Sequence, residues 1–350
     1  MRNIHILITD DVNSFNPFNR VICSELSEKY KLNFSISIEE FWNCEADKYD
    51  SIHLQWPEYL VKKNSQEDLL LLEKRLQVFK ENHVPIIITY HNSLPHLWSP
   101  VMGRKLYSIV YNMCDVVVHL AEYSLGNYEF NLYHNVRQVV IPHPCYLLSE
   151  KKDSKKEARL KLGIPLDKNM YLVSGSIRSQ LEGKHVISAF DKLDTVNNFL
   201  AIPAWEAKID YQKPLRSPLN EISYGLMKAN QVFSLNKRFG SRKISDEDMN
   251  AYLSAADVLV VSRVGLNSGV FYLGLAYGVP MICADSGNTG RLAKVYGNIT
   301  YEYGCVESLL TAMRKRPNSL IGQTNLTYAS TNHSVEKITE MYRDLYYGCL

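Results

Sequence analysis

His91 is the residue in the first half of the chain that is best suited to acid–base chemistry. It follows the apolar run Ile86–Thr89, and Glu58 follows the similar run Ser51–Leu54. An imidazole titrates near neutral pH, so it can take a proton from a hydroxyl group or hold that group by a hydrogen bond. A carboxylate is the alternative base. Both side chains are also compatible with ordinary loop contacts; we predict His91 first and Glu58 second as catalytic residues.

Three more side chains that follow apolar runs in the first half of the chain are candidates for binding an acceptor. They are Asp11, Trp56 and His96. A flat indole ring can cover the apolar C–H face of a sugar, and the polar side chains can hydrogen-bond its hydroxyls. A place for Trp56 in the core or at its rim is the alternative interpretation.

The segment Gly175–Lys184 combines glycines with two cations, Arg178 and Lys184. Glycine lets the backbone approach a ligand closely. Paired positive charges stabilise a diphosphate as it leaves a sugar. We predict that both cations bind a diphosphate, and two exposed surface cations are the alternative.

The most specific pattern in the sequence follows the run Val258–Val261. A polar turn leads into a helix of small residues, and Gly278–Pro280 precede another apolar run. The free N–H groups and the dipole at the start of a helix form an anion site. The diphosphate-binding residues predicted for this turn are Asn267, Ser268, Gly269 and Val270. A purely structural turn is the alternative.

Arg238 and Phe239, which follow the run Gln231–Leu235, are candidate contacts for a nucleobase. A cation and an aromatic ring can both lie against a flat base. A basic pair on the surface, formed by Lys237 and Arg238, is the alternative interpretation.

These candidates lie at the ends of apolar runs that alternate with amphipathic, helix-like segments. The predicted strands are Ile4–Thr9, Leu32–Ile36, Ser51–Leu54, Ile86–Thr89, Val116–His119, Val139–Ile141, Met170–Ser174, Phe199–Ile202, Gln231–Leu235, Val258–Val261 and Met281–Ala284. Continuous apolar strands that alternate with helices are typical of parallel sheets covered on both faces. The sequence therefore predicts an α/β fold of two Rossmann-like, doubly wound domains that face a cleft. Ligands of such sheets bind beyond the carboxyl ends of the strands.

The charged stretch that begins at Ser149 interrupts this alternation. We expect a first domain over residues 1–148, a solvated linker over 149–168, a second domain over 169–330 and a terminal amphipathic helix within 331–350.

Composition excludes several classes of protein. The 350 residues carry 39 Lys and Arg against 37 Asp and Glu, a net charge of +2 that gives no overall case for nucleic-acid binding. The seven cysteines are scattered and never spaced as C-x-x-C, so neither a zinc site nor a disulfide framework is expected. No Asp-x-Asp motif stands at a strand end, and no metal is predicted. Without a signal peptide or a run long enough to span a membrane, we expect a cytoplasmic protein.

The motifs resemble those of the GT-B glycosyltransferases, especially the GT4-like enzymes and their bacterial polysaccharide relatives. Thr89-Tyr90-His91 is similar to the family's Thr-x-His at a strand end, and Ile141–Pro144 is similar to its interdomain segment. The Arg178/Lys184 pair and the turn from Asn267 match the family's diphosphate-binding motifs. The terminal helix resembles the one that crosses back to the first domain. One departure is clear, because Gly265 and Leu273 stand where GT4 enzymes carry two glutamates.

The resemblance implies transfer of a hexose-type sugar from a nucleoside diphosphate sugar to the hydroxyl of a saccharide or lipid-linked saccharide. The first domain would bind the acceptor and the second the donor. It implies synthesis of a bacterial surface polysaccharide or glycolipid, no cofactor besides the co-substrate, no metal, and peripheral contact with the inner face of the membrane as an open alternative. Retention or inversion of the anomeric configuration stays open. A sugar-nucleotide epimerase-hydrolase of the same fold and a non-catalytic sugar-binding descendant are the rival interpretations.

Overall fold

The structure is a computed structural model of the chain and describes residues 3–11, 16–95, 98–126, 136–175, 177, 180–194, 196–204, 235–240 and 244–349. It divides into two compact units. The first unit runs to Pro144 and also contains the residues from Asn332 onward, and the second unit runs from Cys145 to Thr331.

Strands and helices alternate along both units. The strands are β1 (Ile4–Thr9), β2 (Leu32–Ile36), β3 (Ser51–Leu54), β4 (Ile86–Tyr90), β5 (Val116–His119), β6 (Arg137–Val140), β7 (Asn169–Leu172), β8 (Asn198–Ile202), β9 (Lys237–Phe239), β10 (Val258–Val261), β11 (Met281–Ala284) and β12 (Ile299–Tyr301). The α-helices are α1 (Phe18–Lys29), α2 (Ile38–Asn43), α3 (Gln66–Glu81), α4 (Pro100–Met113), α5 (Glu122–Gly126), α6 (Lys155–Leu162), α7 (Gln180–Asp191), α8 (Asp246–Ala255), α9 (Gly269–Tyr277), α10 (Gly287–Val295), α11 (Val306–Lys315), α12 (Leu320–Asn332) and α13 (Val335–Tyr347).

Each unit contains one parallel sheet of six strands. The order in the first sheet is β2-β1-β3-β4-β5-β6, and the order in the second is β12-β11-β10-β7-β8-β9. The central strands are buried along their whole length, as the apolar runs require. The predicted α/β class with two doubly wound parallel sheets is therefore confirmed.

The strand order defines one switch point in each sheet, where successive strands begin to be added on the opposite side. It lies between β1 and β3 in the first sheet and between β7 and β10 in the second. Loops at the carboxyl ends of strands diverge at such a point and leave room for a ligand. The candidate site residues are therefore expected at these two switch points.

The segment expected to be a solvated linker is instead a packed part of the second unit. Ser154 caps α6 in a capping box with Glu157, and Gly163 ends the helix with φ +60°. Arg159 is only 4% exposed. Its guanidinium binds the carboxylate of Asp257 and several backbone carbonyls. The charged stretch therefore contains a cation that the fold buries, because its charge and donors are satisfied.

The strand expected at Gln231–Leu235 lies almost wholly outside the described residues. Residues 231–234 lie outside the described part of the chain, Leu235 is 90% exposed in a turn, and the strand begins at Lys237. Strand β12 was not predicted, since its short sequence Ile299–Tyr301 is only partly apolar.

Helix α13 packs on the first unit. Its buried side chains Ile338, Tyr342 and Leu345 share a core cluster with Phe18 and Leu26 of α1. None of the helices in the described ranges has the length and apolar character needed to cross a membrane.

Candidate active site

Strands β3 and β4 of the first unit are joined by two side-chain hydrogen bonds on one face of the sheet. His53 Nε2 lies 2.8 Å from Thr89 Oγ1, and His91 Nε2 lies 2.8 Å from Gln55 Oε1. Because side chains two residues apart in a strand point to the same face, the second bond repeats the first one step further along. His91 therefore lies just beyond the carboxyl end of β4.

The ring of His91 is held on two sides by aromatic residues. It stacks on Trp56 with 4.1 Å between ring centroids and 16° between planes, and Phe18 meets it edge-on at 5.3 Å. Trp56 is itself buried, at 9% exposure. One face of the indole predicted to form a sugar platform is therefore covered by the imidazole, and Trp56 supports the ring of His91.

Burial keeps the imidazole of His91 neutral. It lowers the pKa of His91 well below the usual 6.5, and the nearby His143 and His53 lower that pKa further. With Gln55 Oε1 assigned as acceptor from the hydrogen-bond pattern, Nε2 carries the proton and Nδ1 carries the lone pair. Within the described residues Nδ1 has no hydrogen-bond partner, so it can accept a hydrogen bond from a substrate hydroxyl.

Glu58 lies in a short 3₁₀ helix, Pro57–Tyr59, directly after Trp56. Tyr107 donates a hydrogen bond to its carboxylate at 3.2 Å, and Asn92 also hydrogen-bonds it. Burial raises the pKa of Glu58, while these two donors lower it in part. The loops after β3 and β4 therefore meet twice, at Trp56–His91 and at Glu58–Asn92, and bring both predicted catalytic side chains to one edge of the sheet.

The loop after β1 places Asp11 on the surface beside a buried carboxylate. Asp10 is 1% exposed and accepts hydrogen bonds from Asn19 Nδ2 at 2.7 Å and from the Asp11 backbone at 2.8 Å. Burial raises the pKa of Asp10. Asp11, the residue predicted from sequence to contact the acceptor, is exposed. His96 lies outside the described residues.

In the second unit, the loops after β7 and β10 touch at the switch point. Gly175 has φ +85°, and a Cβ atom there would lie 3.0 Å from Cγ2 of Val270. A side chain at this position would meet both a strained backbone and the first turn of α9. The glycine-rich segment and the Asn267 turn predicted from sequence are therefore neighbours.

The start of α9 leaves backbone donors open. Ser268 is the N-cap residue, and its side chain makes no capping hydrogen bond with the described residues. Asn267 Oδ1 accepts a hydrogen bond from Asn288 Nδ2 at 3.0 Å, whereas Asn267 Nδ2 is buried and has no partner within the described residues. Unpaired N–H groups at a helix start favour an anion. The predicted residues Gly269 and Val270 form the first turn.

The loop after β11 closes tightly against this turn. Gly287 has φ +61°, and a Cβ atom there would lie 2.4 Å from the carbonyl oxygen of Gly265. Asn288, the next residue, is 1% exposed and accepts from Arg291 at 3.4 Å. The amide pair Asn267–Asn288 thus links two adjacent strand-end loops, and sequence reasoning missed its second member.

Lys184 lies in a helix, at the end of the segment from Gly175 in which both diphosphate-binding cations are predicted. Helix α7 begins at Gln180, and Lys184 is exposed in its second turn. Glu182, about 200° away around the helix axis, is buried and accepts a hydrogen bond from Ser262 Oγ at 2.6 Å. Arg178, the other predicted cation, lies outside the described residues.

Arg238 and Phe239, which are predicted to contact a nucleobase, both make contacts within the second unit. Arg238 donates to the carbonyl oxygens of Leu162 and Gly163 at the end of α6, where unpaired carbonyls favour a cation. Phe239 is 4% exposed in the core beneath the second sheet. Both side chains are therefore occupied within the unit.

The chain is similar in fold to solved glycosyltransferase structures. No protein-family model matches it, and no curated protein sequence matches it. Sucrose-phosphate synthase from Thermosynechococcus elongatus is 14% identical with a TM-score of 0.68, over 99% of this chain and 100% of that one. HepE from Anabaena in complex with UDP-glucose is 13% identical with a TM-score of 0.68, over 99% and 100%. WaaG, a glycosyltransferase involved in lipopolysaccharide biosynthesis, is 12% identical with a TM-score of 0.62, over 99% and 100%. The chain therefore has the GT-B fold.

Proposed function

We propose that the protein is a glycosyltransferase that moves a hexose-type sugar from a nucleoside diphosphate sugar to an acceptor hydroxyl. The observation that carries the proposal is the uncapped start of α9, packed against Gly175 at the switch point of the second sheet. This is where an open parallel sheet binds an anionic ligand.

The donor diphosphate binds to the second unit in this proposal. The backbone N–H groups of Gly269 and Val270 and the free Nδ2 of Asn267 donate to its oxygens. Negative charge grows on the diphosphate as the glycosidic bond breaks, so fixed donors stabilise the transition state more than the bound substrate. Arg178 is the cation predicted from sequence to bind the diphosphate, and no metal is needed in this scheme. Lys184, on the exposed side of α7, contributes less.

The first unit supplies the groups that hydrogen-bond or deprotonate sugar hydroxyls. His91 Nδ1 accepts a hydrogen bond from a sugar hydroxyl, and its low pKa makes it a weak base but a constant acceptor. Glu58, whose pKa is raised, is the better base at neutral pH. If the reaction inverts the anomeric centre, Glu58 takes the acceptor proton as the acceptor oxygen bonds to the sugar and the diphosphate leaves. If it retains, His91 orients the sugar and no base is required at that face.

The acceptor is proposed to be a saccharide or a lipid-linked saccharide of a bacterial surface polymer or glycolipid. The likeness to WaaG, which is involved in lipopolysaccharide biosynthesis, supports this choice. Asp11 and Asn92 lie near the same sheet edge and can bind its hydroxyls. Work at the inner face of the membrane by peripheral contact fits such an acceptor.

A thermal-shift screen against UDP-, GDP-, ADP- and CMP-sugars tests the proposal. A ligand that binds only the folded chain stabilises it by about 2.7 kcal/mol at 100 times Kd, so one nucleotide class should raise Tm. Arg178→Ala should abolish the rise, and Lys184→Ala should reduce it less. If no nucleotide sugar raised Tm, or if all four classes did so equally in wild type and in Arg178→Ala, the proposal would be wrong.

A further inference from the structure

A buried chain of side chains joins the C-terminal helix to the strand end that carries His91. Tyr346 of α13 lies with its hydroxyl 2.7 Å from His53 Nδ1, and His53 Nε2 lies 2.8 Å from Thr89 Oγ1. The His91 backbone N–H then donates to the Thr89 carbonyl at 3.1 Å. These hydrogen bonds connect the hydroxyl of Tyr346 through His53 and Thr89 to the backbone of His91.

Both ring nitrogens of His53 are engaged, which fixes the ring. His53 is fully buried, and burial lowers its pKa to about 3, so the imidazole is neutral. A neutral imidazole has one N–H and one lone pair. One of its hydroxyl neighbours must therefore donate and the other accept, and loss of either one leaves a buried polar atom unpaired.

The far end of the chain is anchored by packing. Tyr346 is 2% exposed, and its ring meets Phe34 of β2 edge-on at 5.7 Å between centroids. Leu345, next to it, is buried in the core shared with α1. The hydroxyl of Tyr346 is thus held at a fixed point above β3.

We propose that Tyr346 and His53 are positioning residues for His91. They fix Thr89, and Thr89 fixes the backbone and ring direction of His91 two residues on, beside the parallel bond from Gln55. Helix α13 then helps to position a residue of the first unit's site, in addition to packing on the core of that unit. The inference rests on the proposed function only in the claim that His91 contacts the sugar.

Ring ¹⁵N NMR of the histidines tests this without any need for turnover. In Tyr346→Phe, the ring signals of both His53 and His91 should move, with the His91 signals assigned from His91→Gln. Tyr347→Phe is the matched control, because Tyr347 is half-buried on the same helix and no hydrogen bond of its hydroxyl is found within the described residues. It should leave the His91 signals in place. A change confined to His53 in Tyr346→Phe would overturn the proposal.

A second pair of variants tests the chain from its other end should Tyr346→Phe fail to fold. Thr89→Val keeps the shape but removes the hydroxyl, and Thr89→Ser keeps the hydroxyl. The His91 signals should move in the first and stay in the second; the same shift in both variants would contradict the proposal. Where sugar transfer is measurable, Tyr346→Phe should lower kcat roughly three- to tenfold with little change in donor KM, the effect of one lost hydrogen bond. Absence of transfer in wild type would refute the proposed function and leave the NMR result to decide the positioning role.

Discussion

The ring of Trp56 lies face to face with the ring of His91, with 4.1 Å between the centroids and 16° between the planes. Strands β3 and β4 pair in parallel, so the residues just beyond their ends reach the same edge of the sheet. Nδ1 of His91 is left without a hydrogen-bond partner among the described residues. The orientation of the imidazole therefore depends on the indole of Trp56.

Replacement of Trp56 by leucine should separate support of His91 from general packing. The variant keeps an apolar side chain but loses the aromatic face, and we expect the free energy of unfolding to fall by about 1–3 kcal/mol. We also expect the His91 ring signals to shift. Trp98→Leu is the control, since Trp98 is another buried tryptophan of the first unit, at 7% exposure. It should lose comparable stability in urea unfolding and leave His91 unchanged. Equal shifts in both variants would show that the stack has no special effect.

The pH dependence of kcat should report the ionisation of the Glu58 carboxyl. Burial raises the pKa of this carboxyl, and the hydrogen bond from Tyr107 opposes the rise. If Glu58 is the base, kcat increases as pH rises through that pKa. Tyr107→Phe removes a bond that favours the carboxylate, so the acid limb should move to higher pH. Glu58→Gln should abolish the limb together with most of the activity. An acid limb that stays in place in Tyr107→Phe would exclude Glu58 as the base.

Stability should fall in mild acid because of buried neutral histidines. Burial lowers the pKa of His143 to about 4, from an ordinary value of 6.5. Between these values the unfolded chain binds a proton and the folded chain does not, so the free energy of unfolding decreases as pH falls. The slope is at most about 1.4 kcal/mol per pH unit for each such histidine. His143→Gln should flatten the profile between about pH 6 and 4, whereas His83→Asn, at an exposed histidine, should not. Parallel profiles for wild type and His143→Gln would contradict the assignment.

Asn267→Asp should separate donor binding from stability. The new carboxylate keeps the acceptor for Asn288 but places a negative charge at the start of α9, where the helix dipole favours it by about 0.3–1 kcal/mol. The same charge repels a diphosphate. We therefore expect Tm without ligand to stay or rise and donor affinity to fall at least about tenfold. Ser245→Asp, at the N-cap of α8 in the same unit, should leave affinity unchanged. Unchanged affinity in Asn267→Asp, measured by calorimetry, would remove the turn from the donor site.

Local sequence signals predicted most of the sheet framework and both switch-point loops. Runs such as Ile4–Thr9 and Val258–Val261 are strands with the predicted bounds because they are buried on both faces. The stretch around Arg159 was misinterpreted as solvated because its partner Asp257 lies 98 residues away. Its capping signals, Ser154 with Glu157 and then Gly163, were present in the sequence and indicate the helix.

Contacts between distant residues could not be predicted in this way. His53 lies between Ile52 and Leu54, which marks it as unusual, but nothing local indicates that its partner is Tyr346, 293 residues later. The same holds for Asn288 beside Asn267.

A crystal structure of the protein with UDP-glucose, or with the nucleotide sugar that the thermal screen selects, tests the central claim most directly. The account predicts that phosphate oxygens lie within hydrogen-bond distance of the Gly269 and Val270 N–H groups and of Asn267 Nδ2. A diphosphate bound elsewhere, with the first turn of α9 still free, would contradict it.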